Sequence, residues 1–454
     1  MDAVEEIRQG KKSAGVVAIP KQAEEAEALP PWVEPSVWTP RMWTALLNGV
    51  KGGQWFSLID KVWKRENLES AYRRVARNKG CPGVDHISVS KYGQRLDDQL
   101  DLLHGSLIDG SYRTQALLRK HIPKEGGTGT RPLSIPTVRD RVVHTATKHV
   151  IEPIFEKTFS ETSFGFRPQR SNKDALRATV EALKNGKLYV VDADISKCFD
   201  EIPHEPLLER IGEQISDSRM LTLIGDFLKQ GIMEAEEEWE PQEGTPQGGP
   251  LSPLLANIYL NPVDWLMHAK GHTSIRFADD IVILCTSEEE AHAAREHLRE
   301  WMRENGLRLN PDKTRLVDMT QPKAYFEFLG YKFYRTAQNR LRWFARPKSK
   351  KKLRSKIRPL TKRCNGHSME EIIRKLNPIL RGWFEYFKHS LSSDFRQVDG
   401  WVRMRLRSIL RKRHKGRGRG RGSDQQRWPN AYFGELGLFS LVTGRESLRS
   451  SASR

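Results

Sequence analysis

Residues 275–284 read IRFADDIVIL. Ile275 and Phe277 precede an acidic pair, Asp279–Asp280, and Ile281, Val282, Ile283 and Leu284 follow it. Short apolar runs on both sides of a polar break predict a hairpin of buried strands. Adjacent carboxylates repel, and a turn between buried strands is a costly place to hold them. Either the acids lie harmlessly at the surface or something positive holds them there. Asp97–Asp98 in QRLDDQL is a second such pair, but its polar, helix-like setting reads as solvated surface.

YVVDADIS at 189–196 is a comparable case: an apolar strand whose exit carries Asp192 and Asp194. Strand side chains alternate, so these two share a face. Strand ends that present several carboxylates suit Mg²⁺, a hard ion that takes oxygen ligands and shares carboxylates with substrate phosphates. Two such ions about 4 Å apart are a device for in-line nucleotidyl transfer. The residues alone leave a second reading open, in which the acids only cap turns.

The chain has 454 residues and is 37% hydrophobic, enough for two to four domains with real cores. No apolar stretch approaches a bilayer span, and the first thirty residues lack the apolar core of a signal peptide. A cytoplasmic protein with no membrane contact is the expectation. Cys81, Cys198, Cys285 and Cys364 form no C-x-x-C pair, which argues against a disulfide framework or a zinc ribbon and for reduced, mostly buried thiols.

The net charge of +19 is concentrated. Residues 340–363 hold 12 Lys and Arg without an acid, residues 403–421 hold 10 without an acid, and the remainder nets −3. Two dense acid-free runs imply a polyanionic partner, nucleic acid above all. Candidate RNA contacts are Arg346, Lys350, Lys351, Lys352, Arg354, Arg403, Arg405, Arg411 and Arg413.

Along the chain, 54–80 reads as helical and closes in the turn NKGCPGVD. Residues 117–136 predict two strands around a Gly-rich hairpin, 138–156 and 203–230 predict helix, and 234–240 an acidic edge or hairpin. A turn-rich loop at 243–253 feeds an apolar helix, 287–307 is an amphipathic helix closed by Gly306, and 325–334 reads as strands. Beyond 340 the chain is basic and mainly helical. Strands embedded among helices without regular alternation predict an α+β fold up to 335, followed by an all-α basic module.

Three further stretches carry candidate ligand groups. TPQGGPLSP at 245–253 sets Gly-Gly between prolines, so its backbone can approach a flat substrate while Gln247 offers an amide. In IPKEGGTGTRPL, Lys124 and Arg131 flank a hairpin tip where they could hold a triphosphate. Phe199 lies five residues beyond Asp194, where it either packs in the core or floors a sugar pocket.

Taken in order, these stretches resemble the reverse transcriptases encoded by bacterial group II introns, also called maturases. The resemblance runs from about residue 66 to 441 through GCPGVD, IPKEGGTGTRPLSIPTVRDRVVHTA, SFGFRPQRS, YVVDADISKCFDEIPH, EGTPQGGPLSPLLANIYL, RFADDIVIL, GLRLNPDKT and FLGYKF. It implies a right-hand polymerase with fingers and palm over 54–335, thumb and maturase domain over 336–445, a polar and partly disordered extension over 1–53, and a tail over 446–454. It implies Asp194, Asp279 and Asp280 as ligands of two Mg²⁺ ions. Phe199 falls where the family has its sugar-discriminating aromatic, and Lys124, Arg131 and Gln247 where it meets the incoming nucleotide. LNPILRGWFEYFKHS at 376–390, FRQVDGWVRMRLRSIL at 395–410 and RWPNAYFGELGLFSL at 427–441 resemble the RNA-gripping domain. Trp383, Phe384, Tyr386 and Phe387 in the first of these read as core packing, and the arginines as phosphate contacts.

Two departures stand out. Phe277 occupies a position where most members have Tyr, which costs a hydroxyl and no metal ligand. No paired cysteines of a C-terminal endonuclease domain follow residue 441, so mobility is expected to need a target strand primed another way, such as at a replication fork. The expected function is an RNA-directed DNA polymerase that binds group II intron RNA, an RNA template, a DNA primer, dNTPs and target DNA. The alternatives are a reverse transcriptase of a retron, diversity-generating or defence system, and a splicing-only RNA-binding protein with a retired polymerase fold. Three intact acids and the Gln247 loop oppose the last of these.

Overall fold

The computed structural model describes residues 28–50, 52–123, 129–234, 237–418, 420 and 422–452. Among them run eleven strands: β1 (Leu117–Pro123), β2 (Thr130–Ile135), β3 (Tyr189–Asp194), β4 (Ile232–Glu234), β5 (Glu237–Trp239), β6 (Thr273–Phe277), β7 (Asp280–Cys285), β8 (Arg315–Asp318), β9 (Tyr325–Phe328), β10 (Tyr331–Arg335) and β11 (Leu341–Ala345). They form three sheets, ordered β2-β1-β4-β5, β6-β7-β3-β8 and β11-β10-β9. Helices fill the intervals, so the expected α+β class holds.

The β6-β7-β3-β8 sheet is antiparallel throughout and buried on both faces. Alternation along the strands explains how one apolar run serves two cores. Ile281, Ile283 and Cys285 of β7 join Val191 and Ala193 of β3 in a core covered by helices Val138–Glu156, Ser252–Ala269 and Glu288–Glu304. Val282 and Leu284 join Val190 in a second core, under helix Asn172–Lys184 and the β9–β11 sheet. A third core joins helices Pro347–Leu360, Met369–Phe387 and Ser392–Arg413 with Trp428, Phe433 and Leu441.

Several expectations need correction. The helical stretch at 54–80 divides into Ile59–Trp63 and Arg65–Arg77 because Lys64 turns extended. That at 203–230 divides into His204–Gly212 and Ser218–Leu228, where Ile215 pairs with Trp55. The composition break near 340 falls inside a hairpin: β11 pairs with β10, and the first basic helix begins at Pro347. The N-terminal segment is not polar throughout, since Val33, Val37, Trp38, Trp43 and Leu46 enter the first core. Of the four free thiols only Cys198 and Cys285 are buried. Asp97 and Asp98 are surface residues, paired with Arg65 and Arg95. No helix among the described residues is long and apolar enough to cross a membrane.

Candidate active site

The β6–β7 hairpin closes with Phe277 opposite Asp280, leaving Ala278 and Asp279 as a two-residue turn. Ala278 has φ +58°, a left-handed conformation that a residue with a Cβ adopts only when its surroundings enforce it. Arg276 supplies much of that enforcement. Its side chain is fully buried, and its guanidinium grips Asp264 with Nε at 2.8 Å from Oδ1 and Nη2 at 2.5 Å from Oδ2. Nη1 donates to the Asn257 side chain at 2.9 Å and to the Ala278 carbonyl at 3.1 Å. From the other side Gly165 lies so close that a Cβ there would collide with the Ala278 backbone nitrogen, and Asn257 Nδ2 holds the Gly165 carbonyl at 2.7 Å. The turn carrying Asp279 is therefore fixed by helix Ser252–Ala269 and by the SFGFR segment. Sequence reasoning missed this clamp. Its signal was a charge inside an apolar strand and another, Asp264, inside an apolar helix.

Strand register does the rest. The β3–β7 ladder sets Asp194 directly opposite Asp280, with Asp279 beyond it in the turn. Asp192, two residues back on β3, is held by Arg315 of β8 at 3.1 Å. Burial raises the Asp279 carboxyl above the ordinary range, and Asp194 adds to the rise. The Asp280 carboxyl is pushed up to about 6, first by desolvation within the cleft and then by Asp279, Asp194 and Asp192. Asp280 stands at the solvent-exposed rim, so the three neighbouring carboxylates are the firmer cause. Lys313 Nζ lies 2.8 Å from Asp194 and offsets part of this charge. Lys313 was absent from the expected site residues, although it belongs to the quoted GLRLNPDKT.

The donor set fits a hard cation: three carboxylates at two strand ends, of which Asp279 and Asp280 have raised affinity for a proton. No group of three acid, His or Cys side chains among the described residues closes around an ion by itself.

A cavity of about 450 Å³ opens beside the acids, lined by Arg131, Phe166, Asp194, Phe199, Gln247 and Asp279 among others. Gln247 Nε2 donates to both carboxylate oxygens of Asp200 at 2.9 Å, which orients its amide at the cavity wall. Gly248 takes φ +122° against the Ser134 carbonyl, so this loop tolerates no side chain there. Phe199 is half-buried, and its carbonyl accepts the Thr245 N–H at 2.6 Å, joining the two loops. Phe166 was not anticipated: it is 52% exposed at φ +58°, tilted against Phe277. Lys124 lies outside the described residues.

The basic residues do not share one face. A cleft of about 660 Å³ between Asp280 and the first basic helix takes Arg346 and Lys352, together with Lys348 and Lys356. Lys350 instead pairs with Asp394 at 2.8 Å, Arg403 approaches Asp399 at 3.8 Å, and Arg411 grips Asp424 at 2.9 Å. Arg405 donates to the Thr361 hydroxyl and carbonyl, and Arg413 to the His367 carbonyl. Arg354 stacks over Trp401, while Lys351 is exposed. Several of these cations therefore join helices to one another. Phe384 and Phe387 are buried as expected, but Trp383, Tyr386 and Phe387 also line the cleft.

Residues 122–333 match the model of the reverse transcriptase (RNA-dependent DNA polymerase) family, and residues 350–428 match the group II intron maturase-specific domain. The chain belongs to the reverse transcriptases and carries the maturase-specific domain. It is 32% identical to Protein YkfC of Escherichia coli over 61% of this chain and 83% of that one. It is 39% identical to the group II intron-encoded protein LtrA of Lactococcus lactis over 46% of this chain and 38% of LtrA. The chain therefore spans well under half of LtrA. A solved partial Cas6-RT-Cas1–Cas2 complex aligns with a TM-score of 0.36 at 26% identity, over 54% of this chain and 42% of that one.

Proposed function

We propose that this chain copies RNA into DNA and binds a group II intron RNA, promoting its splicing and mobility. The observation that carries the polymerase reading is the β3–β7 register, which opposes Asp194 to Asp280 so that Asp194 and Asp279 line the nucleotide-sized cavity and Asp280 the adjoining cleft. Asp194, Asp279 and Asp280 hold two Mg²⁺ ions in this reading. When bound, the ions supply Lewis-acid activation of a primer 3′-hydroxyl and stabilise the leaving pyrophosphate.

The chain's own residues do the positioning. Arg131, with Lys124, steadies the triphosphate as charge-assisted donors. Phe199 stands under the sugar and excludes a 2′-hydroxyl by bulk, while Gln247, fixed by Asp200, presents an amide to the incoming nucleotide. Arg346, Lys348, Lys352 and Lys356 meet phosphates of the primer–template duplex along the cleft. The maturase-specific domain supports intron RNA as the partner held by the remaining basic surface, with target DNA taken up afterwards.

Asp279→Asn keeps the turn's shape and removes one charge. Primer extension on an RNA template should fall to background while RNA retention on filters stays near wild type. Extension at the wild-type rate in this variant refutes the catalytic assignment.

A further inference from the structure

A second cavity, of about 330 Å³, lies behind the wall of the catalytic cleft, where helix Asn172–Lys184, the β10–β11 hairpin and the end of helix Met369–Phe387 meet. Tyr386 borders both cavities. Helix Asn172–Lys184 buries Ala175, Thr179, Ala182 and Leu183 against the sheet. Its flank carries a second apolar ridge, Leu176 and Val180, one turn apart and only half-buried. That ridge faces Trp343, also half-buried, across the cavity. Apolar groups at helical spacing normally end in a core. Here they line an open pocket instead.

The rim is cationic. Lys173, Arg177 and Lys184 rise from one side and Lys388 from the other, with Glu385 as the acid among the lining residues. Glu385 lies 3.3 Å from Lys388 and 3.9 Å from Lys173, and Asp174 holds Arg177, so two acids serve four cations. His389, at the same rim, is held below its usual pKa by burial and then by Lys388, Arg445, Lys173 and Arg177. A neutral imidazole there can both donate to and accept from the polar edge of a ring.

We infer that this pocket captures an unpaired base of the bound RNA, seated against Trp343 with its flanking phosphates on Lys173, Lys184 and Lys388. The volume is at the lower end of small-ligand sites, roughly 300–1,000 Å³, so it admits one planar ring system and excludes a duplex. RNA is read chiefly through splayed-out single-stranded bases stacked on aromatic side chains. The inference rests on the RNA-binding reading above and adds a site separate from the polymerase cleft.

The test uses the full chain and a short oligouridylate carrying 4-thiouridine, crosslinked by near-ultraviolet light and mapped by peptide mass spectrometry. Adducts are expected at Trp343, which lines this pocket and not the cleft. Val180→Trp, which fills the cavity, should cut their yield about tenfold, the scale of one lost base stack, and Lys184→Glu, an exposed change that spares the core, should also lower it by setting a like charge against the flanking phosphate. Extension of a pre-annealed primer–template should be unchanged in both. Wild-type adduct yields in both variants, or adducts confined to the cleft beside Asp280, overturn the pocket and leave the RNA-binding reading intact. Failure of the wild-type chain to retain any RNA overturns that reading, and the pocket's occupant with it. Suppression of adduct formation by uridine monophosphate added before irradiation, with overall RNA retention unchanged, reassigns the pocket to a free nucleotide and overturns the inference.

Discussion

Replacing Arg276 by Met tests whether the buried clamp sets the catalytic turn. The two side chains have similar length, so the change removes charge and donors with little change in volume. It leaves Asp264, 1% exposed, without a cation, and strips donors from the Asn257 side chain and the Ala278 carbonyl. Breaking a buried pair by removing one partner costs about 3–5 kcal/mol. A chain with several cores need not unfold in one step, so the readout should be local. At about 1.36 kcal/mol per tenfold, amides of β6 and β7 should exchange with solvent at least about a hundredfold faster if they open locally. A displaced Asp279 should also lower primer extension by about 10²-fold, the effect of roughly 1 Å of misplacement. Asp264→Leu added to Arg276→Met removes the orphaned charge and should recover most of the protection without restoring activity, because the Ala278 carbonyl still lacks its donor. Exchange within about tenfold of wild type in Arg276→Met, with no difference in the double variant, would refute the clamp.

Three other perturbations follow from the same geometry. His144 is buried with neither ring nitrogen hydrogen-bonded to a described residue, its ring 4.1 Å from Phe227, and burial lowers its pKa from 6.5 to about 4. Its neutral form is the folded form, so its contribution is complete above pH 6.5 and erodes as pH falls toward 4, by about 3 kcal/mol in all. Denaturant midpoints taken across that window should fall less steeply for His144→Leu, and parallel curves would contradict this assignment. Lys313→Ala removes the cation that competes for Asp194, and a partly exposed pair of about 1 kcal/mol predicts about fivefold less Mg²⁺ for half-maximal extension. A higher Mg²⁺ requirement would instead make Lys313 a substrate contact. Phe199→Ala should raise ribonucleotide incorporation relative to deoxyribonucleotide, measured as a ratio of kcat/KM, and an unchanged ratio removes Phe199 as the gate.

The sequence by itself determined much of the architecture, because the relevant signals are local. Apolar runs of strand length around Asp279–Asp280 and before Asp192 and Asp194 specify strands, since side chains alternate every two residues wherever a strand forms. The segregation of 22 cations into two acid-free runs marks a basic region without any knowledge of packing, although its edge near 340 falls inside the β10–β11 hairpin. Only the tertiary structure decided what those elements meet. Asp194 faces Asp280 because β3 and β7 pair in one register across 86 positions of chain, and that register depends on which residues fill two cores at once. Arg276 finds Asp264, and Asp194 finds Lys313, through the same long-range packing. The cations past 340 divide between the cleft and intramolecular ion pairs according to helix phase and neighbouring helices, such as the one that sets Asp394 against Lys350 while Lys352 faces Asp280. A side chain's type and spacing are properties of the chain, but its partner is a property of how distant elements share one buried volume.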